Sequence, residues 1–184
     1  MPLLILCLMI IATGFAAGED RASQVDDIRE AAFRYQFRKN ASGLQQKAKV
    51  YFLSVRNAQD EKNHDPDEAF MKRFADHKPR VAKASEAHAS SEGGVRDMKT
   101  GERGLLFDLG EIRWISDDTV EIDGGYYEGG LSASGNTYFL KKKTGKWIVE
   151  RDRMHWISHV NGLDGQRFAD RRFWARELTG KDHQ

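Results

Sequence analysis

Cysteine is almost absent from this chain of 184 residues, and the single one, Cys7, lies close to the amino terminus. One thiol forms neither an internal disulfide nor a thiolate metal cluster, which excludes disulfide-stabilised folds and dithiol redox chemistry. Charge of one sign is also missing, because 29 lysine and arginine residues face 28 aspartate and glutamate residues. This balance indicates neither nucleic acid nor an anionic membrane as a partner. With three prolines and 40 % hydrophobic residues, the chain has the composition of a globular protein.

The first eighteen residues have the pattern of a secretion signal. An uncharged apolar run over 3–11 leads into small residues that end with Ala16, Ala17 and Gly18. Small side chains one and three residues before a cut favour cleavage after Gly18, with a cut after Ala16 as the alternative. Because no lysine or arginine precedes the run, an uncleaved membrane anchor is the alternative interpretation of this segment. The run is, however, shorter than the ~20 residues of a membrane-spanning helix. We expect an exported protein, periplasmic or secreted, without stable membrane insertion once the signal is removed.

Two helices are predicted in the first half of the chain. In 23–39, apolar side chains recur at helical spacing, and they are Val25, Ile28, Ala32, Phe33 and Phe37. A second, short helix is predicted to start with Asp65 as its N-cap and Pro66 as its first helical residue, and to end near His77. A strand is predicted at 49–55 between the two helices, because that segment is rich in β-branched and aromatic residues.

Strands dominate the second half of the chain. After a polar loop or hairpin end at 91–104, apolar and polar residues alternate in four runs, 105–116, 120–123, 136–142 and 146–158. Turn residues separate the runs, notably Asp117 with Asp118 and Thr144 with Gly145. Helices followed by hairpins predict an α+β fold, with N-terminal helices packed on a curved antiparallel sheet.

This order of elements, from 23 to 158, resembles the NTF2-like superfamily of cystatin-like α+β cones. The stretch from 104 to 158, with KWIVERDRMHWIS at its end, also resembles the closing hairpin of uncharacterised bacterial exported proteins of that kind. The predicted organisation is therefore a signal peptide at 1–18, one domain at 19–158 for which the resemblance implies the cone fold, and a tail at 159–184. The superfamily contains isomerases, dehydratases, hydrolase-like members, transport adaptors and ligand-binding domains. None of its enzyme motifs is present here, so the resemblance assigns no catalytic residue.

The glycine-rich segment 123–136, DGGYYEGGLSASGN, is the most unusual part of the sequence. Glycines inside strands mark bends, bulges or close approach of another group to the backbone. One interpretation places a ligand-binding pocket between this segment, 151–156 and the first helix. The candidate ligand-binding residues are Tyr126, Tyr127, Glu128, Asn136, Tyr138 and Arg153. The alternative is that the glycines only let the sheet curl and that the rest is a polar hairpin end.

Asp152 and His155 are the candidate acid–base pair of an enzyme. As a strand, the segment points Asp152 away from both His155 and His159, whereas a helix would bring the three together. The strand context predicts no metal site, and an ion pair on the outer surface is the alternative role of Asp152. The apolar face shifts between Val149 and Met154, which predicts a bulge near Asp152.

The tail from 159 to 184 intersperses arginines with Phe168, Phe173 and Trp174. A short terminal helix docked on the domain is favoured over a polyanion-binding segment. The leading hypothesis is a non-catalytic extracytoplasmic domain, without a cofactor, that binds a small molecule, a peptide or an envelope partner. The alternatives are a cofactor-free isomerase, dehydratase or hydrolase that uses Asp152, His155 and a tyrosine, and a structural homodimer that pairs through an open sheet face.

Overall fold

The computed structural model of the protein describes residues 16–40, 42, 47–56, 62–90, 92–130 and 132–158. Within these residues the predicted α+β class is confirmed, since one long helix packs on a curved and mostly antiparallel sheet. Most of the predicted signal peptide, and the whole tail for which a docked helix is predicted, lie outside the described residues. The elements in chain order are α1 (Ala16–Arg38), β1 (Val50–Arg56), β2 (Asn63–His64), α2 (Glu68–Lys72), β3 (Arg80–Lys83), a 3₁₀ turn (Ala84–Glu86), β4 (Ala87–Ser90), β5 (Gly94–Asp97), β6 (Gly104–Ser116), β7 (Thr119–Gly129), β8 (Ser132–Lys143) and β9 (Lys146–Ser158).

Helix α1 begins at Ala16, seven residues before the predicted start at 23. Its core-facing stripe agrees with the prediction, because Ile28, Ala32 and Phe33 are fully buried and Phe37 nearly so. An apolar stripe at this spacing forms a continuous ridge on one face of a helix, and that ridge packs on the sheet.

The predicted start of the second helix was wrong. The N-cap of α2 is Asp67, whose carboxylate accepts from the backbone N–H of Phe70 at 2.8 Å. Asp65 instead accepts from the backbone N–H and the hydroxyl of Ser85, at 3.0 and 2.5 Å. Both aspartates precede the same apolar run, so the local sequence offers two N-caps. The carboxylate of Asp65 binds Ser85 in the 3₁₀ turn instead of capping the helix.

The main sheet has the order β2-β1-β6-β7-β8-β9, with β3 also paired to β1. Strands β6 to β9 form the predicted antiparallel meander, but β1 runs parallel to both β6 and β3. The segment 91–104, predicted as a polar loop or hairpin end, contains β5, which pairs with β4 in a separate two-stranded antiparallel sheet. The turn between β8 and β9 has Thr144 and Gly145 in the left-handed region, with φ of 48° and 80°, as a tight hairpin requires.

Apolar residues fill both faces of the sheet near β1 and β6. On the face toward α1, helix residues pack against Tyr51, Leu105, Phe107 and Leu109. On the other face, here called the outer face, Phe52 and Leu106 are covered by small apolar residues of β3, β4 and β5. Burial on both faces explains why 104–109 is an apolar run rather than a clean alternation.

Candidate ligand-binding cleft

A cleft of about 270 Å³ lies between the carboxyl-terminal half of α1 and the sheet. Its walls are mostly apolar, and its polar groups come from α1 and from the segments 126–138 and 151–156. The sequence prediction placed a pocket at this junction of helix and sheet. The lining residues are Tyr35, Gln36, Lys39, Asn40, Phe107, Gly125, Tyr126, Ser134, Asn136, Tyr138, Asp152 and Met154.

The buried side chain of Gln36 lies at the floor of the cleft. Its side chain is 1 % exposed, and its Nε2 donates to the carbonyl oxygens of Asp108 and Gly125 at 3.0 and 3.2 Å. The hydroxyl oxygen of Tyr138 also lies 3.2 Å from this nitrogen. The amide thereby ties α1 to the backbones of β6 and β7, and because two carbonyl oxygens face Nε2, the orientation of the amide is fixed.

The glycine at 124 allows this contact. A Cβ on Gly124 would lie 3.0 Å from Gln36 Nε2 and would collide with the carbonyl oxygen of Asp108. Close approach of another group to the backbone, one of the roles predicted for such glycines, is therefore present at Gly124, at the floor of the cleft.

Asp152 is the only carboxylate that lines the cleft among the described residues. Its Oδ1 accepts from the hydroxyl of Tyr35 at 2.8 Å, and its Oδ2 accepts from Asn136 Nδ2 at 2.6 Å. The Oδ1 of Asn136 in turn accepts from the hydroxyl of Ser134 at 3.1 Å. Asp152 is thus the acceptor that orders a chain of polar side chains from α1 to β8.

The tyrosines around the cleft stay protonated over the whole physiological range. Burial, together with the hydrogen bond to Asp152, raises the pKa of Tyr35 to about 12. Burial also raises the pKa of Tyr126 and of Tyr138 above the ordinary tyrosine value. These rings therefore offer neutral hydroxyl groups, and none of them is a base at neutral pH.

The cleft receives three of the six predicted ligand-binding residues, Tyr126, Asn136 and Tyr138. The other three have different positions. The hydroxyl of Tyr127 donates to the backbone oxygen of Ser90 at 3.3 Å, and its ring packs in the outer cluster. Glu128 accepts from the hydroxyls of Ser42 and Ser132, at 2.5 and 2.9 Å. The Arg153 guanidinium lies on the outer face, 5.8 Å from the centre of the Phe139 ring.

The structure does not bring Asp152 and His155 together. Asp152 points to Tyr35 on α1, whereas His155 Nε2 lies 2.6 Å from the hydroxyl of Thr137 on the outer face. That hydroxyl donates to Asp123 at 2.5 Å, so the histidine is the donor to Thr137. A Thr–His catalytic pair needs the opposite direction of this hydrogen bond, with the histidine as the acceptor.

The predicted bulge near Asp152 is confirmed. In the ladder between β8 and β9, the register shifts at Glu150 and again at His155. Because the extra residue Glu150 reverses the alternation, Val149 before it and Asp152 and Met154 after it all face α1. The bulge at Glu150 is therefore what carries Asp152 into the cleft.

Two residues that define the cleft were missed in the sequence, Tyr35 and Gln36. Gln36 follows Phe33 by three residues and Ala32 by four, and so it falls on the apolar stripe of α1. A polar side chain on a buried stripe is the available signal for such a site. The sequence alone does not reveal its partners, because these are backbone oxygens of β6 and β7.

Among the described residues, no three histidine, cysteine, aspartate or glutamate side chains are grouped as metal ligands. No helix in the described ranges has the length and apolarity needed to span a membrane. No protein-family model, curated protein or solved structure shows a significant match to this chain.

Proposed function

We propose that the protein is an exported, non-catalytic binding domain of the NTF2-like type, whose ligand occupies the cleft between α1 and the sheet. The order of elements supports the resemblance on which this rests: a long helix, a short hairpin, a short helix, three short strands and then a long antiparallel meander. Export is supported by the apolar run and small residues of 1–18.

The observation that carries the proposal is the chemistry of the cleft. Its carboxylate has a hydrogen-bond donor on each oxygen, and the described lining residues include no histidine or cysteine. General acid–base catalysis requires a group that can exchange a proton near neutral pH. Neutral tyrosines, a glutamine and an asparagine suit recognition by hydrogen bonds instead.

The size of the cleft favours a small molecule over a peptide or an envelope protein. Sites for drug-sized ligands have volumes of about 300–1,000 Å³. At about 270 Å³ the cleft is below this range. A ligand of one ring with a few substituents is therefore the expected occupant.

A variant that blocks the cleft with a large side chain tests whether ligands bind there. Met154 lines the cleft and is 48 % exposed, so Met154→Trp fills the entrance without loss of core packing. We expect ligands found by fragment screening with ligand-observed NMR to lose their saturation-transfer signal in this variant. Ile148→Trp is the matched control, because Ile148 is on the same strand, 39 % exposed and outside the cleft.

Equal binding to both variants and to the wild type would place the ligands elsewhere on the surface. The absence of any hit from a broad fragment library would refute the proposed function.

A further inference from the structure

The carboxylate of Asp152 is a polar group of the cleft that a ligand can reach. Asp152 is exposed, and so is the hydrogen bond that its Oδ1 accepts from the Tyr35 hydroxyl. An ionised carboxylate has about four acceptor sites, and Tyr35 and Asn136 occupy one on each oxygen. A ligand that enters the cleft can therefore donate further hydrogen bonds to Asp152.

The negative charge of Asp152 is not neutralised by an ion pair within the described part of the chain. Its two donors, a tyrosine hydroxyl and an asparagine amide, are both neutral. The neighbouring Arg151 and Arg153 lie over the ring of Phe139 on the outer face instead. Lys39 lines the same cleft, but no ion pair joins it to Asp152. A cation that approaches this carboxylate therefore displaces no charged partner.

The ring of Tyr35 is fixed beside this carboxylate. Asp152 holds its hydroxyl, and the ring packs edge-to-face on Tyr138 with 5.8 Å between the ring centroids. Burial raises the pKa of Tyr35 to about 12, and the hydrogen bond and the charge of Asp152 add to this rise. The ring of a neutral phenol attracts a cation placed over its face. Met154, which is 48 % exposed, adds a polarizable apolar side chain to the same wall.

A carboxylate beside an aromatic ring favours an organic cation over a metal ion. Ca²⁺ takes about six to eight oxygen ligands, whereas Asp152 is the only carboxylate among the described lining residues. An ammonium group needs only one carboxylate, to which it donates charge-assisted hydrogen bonds that are about twice as strong as neutral ones.

We propose that the cleft binds a small organic ammonium, whose N–H groups donate to Asp152 and whose apolar part lies against Tyr35 and Met154. A primary amine on a single ring suits a cleft of about 270 Å³. The exposed Lys39 has a flexible stem, which lets its own ammonium stay in water when the ligand enters. This inference rests on the proposed function, since it names the ligand class of the same cleft.

The test uses two probes of nearly the same shape, benzylamine and benzyl alcohol, of which only the amine is charged at neutral pH. The full-length protein is titrated with each probe. The ¹⁵N-labelled side-chain amide of Asn136, which donates to Asp152, is followed by NMR. We expect benzylamine to shift this resonance and to bind at least about fivefold more tightly than benzyl alcohol, because a hydrogen bond between charged groups is the stronger one.

Asp152→Asn removes the charge and keeps the shape of the side chain, so it should reduce benzylamine binding to the level of benzyl alcohol. Glu150→Gln is the matched control, because it removes a carboxylate of the same strand that pairs with Lys143 outside the cleft. This control should keep the preference for the amine. The two probes in wild-type protein give an answer even where Asp152→Asn unfolds the domain.

Equal affinity for the two probes overturns the ammonium assignment and leaves the proposed function standing. A preference for benzylamine that persists in Asp152→Asn also overturns it, because the amine then binds to another group. An Asn136 resonance that neither probe shifts overturns it as well. The fragment screen with Met154→Trp and Ile148→Trp then decides the proposed function independently.

Discussion

Asp108 lies on the outer face of β6, almost completely buried. Burial raises its pKa to about 6, and Arg56, whose Nη2 is 3.9 Å from the carboxylate, offsets this only in part. The folded protein therefore holds the proton more tightly than the unfolded chain, where an aspartate has a pKa of about 3.9. The stabilisation from protonated Asp108 is complete below about pH 4 and is lost as the pH rises through about 6.

Asp108→Asn removes this dependence. We expect the free energy of unfolding of the wild type, minus that of the variant, to fall by roughly 2 kcal/mol between pH 4 and pH 7.5, as a shift of about two pKa units implies over this interval. Urea unfolding at a series of pH values measures the difference. A difference that stays constant across this range would contradict the buried, protonated carboxyl.

Asp123→Asn is the control for that measurement, because its shift has the opposite sign. Burial acts to raise the pKa of Asp123, but hydrogen bonds from Arg113 and Thr137 outweigh it and the pKa is lowered. Its stabilisation is present above the unfolded-state pKa and is lost as the pH falls. The wild-type minus variant difference should therefore rise with pH for Asp123→Asn and fall for Asp108→Asn.

At the scale of elements, the sequence predicted the regular parts well and the boundaries less well. The meander from β6 to β9 follows from alternation and from turn chemistry at Asp117, Asp118, Thr144 and Gly145. The parallel pairing of β1 with β6 was not predictable, because no local pattern encodes which distant strand becomes a neighbour. For the same reason β5 was missed, since its pairing with β4 and the core it covers are tertiary contacts.

The start of α1 bears on the proposed export. A cut after Gly18 removes the first three residues of the helix, Ala16 to Gly18, and keeps the contacts that begin at Arg21. Arg21 pairs with Asp117 at 2.7 Å and lies over the ring of Trp114. Gln24 accepts from the indole of Trp147 at 3.1 Å. Every one of these contacts follows the predicted cut.

We therefore expect a chain that starts at Glu19 to fold as the full chain does. Its urea midpoint should match that of the full-length protein, because the contacts of Arg21 and Gln24 with the sheet are kept. Intact-mass spectrometry of the exported protein should give the mass of 19–184. Retention of 1–18 in a membrane pellet would support the alternative of an uncleaved anchor.

At the scale of the whole molecule, the two faces of the sheet have different roles. Helix α1 covers one face and leaves the cleft, whereas β3, β4 and β5 cover the outer face at β1, at β6 and around Tyr127 of β7. The rest of the described outer face over β7 to β9 carries charged side chains. Arg113 forms an ion pair with Asp123 there, and Arg151 and Arg153 stack on Phe139.

The edge strand β9 also has features that oppose pairing with another strand. It contains both bulges of the β8–β9 ladder, and the charged run from 150 to 153 lies between Val149 and Met154. Bulges and charges at a free edge disfavour edge-to-edge association. Stable homodimers bury about 1,200–2,000 Å² or more, with an apolar centre. The described outer face presents guanidinium groups where such an interface would need apolar side chains.

We therefore expect a monomer in sedimentation velocity at micromolar concentration, with no change when the salt concentration is raised. High salt screens repulsion between the exposed arginines, so a dimer that appears only in high salt would show that these charges alone keep the copies apart. A dimer at ordinary salt would support the structural alternative instead. Arg153→Glu would locate it on the outer face if it dissociates that dimer, whereas Lys99→Glu, in the exposed turn after β5, should leave the dimer intact.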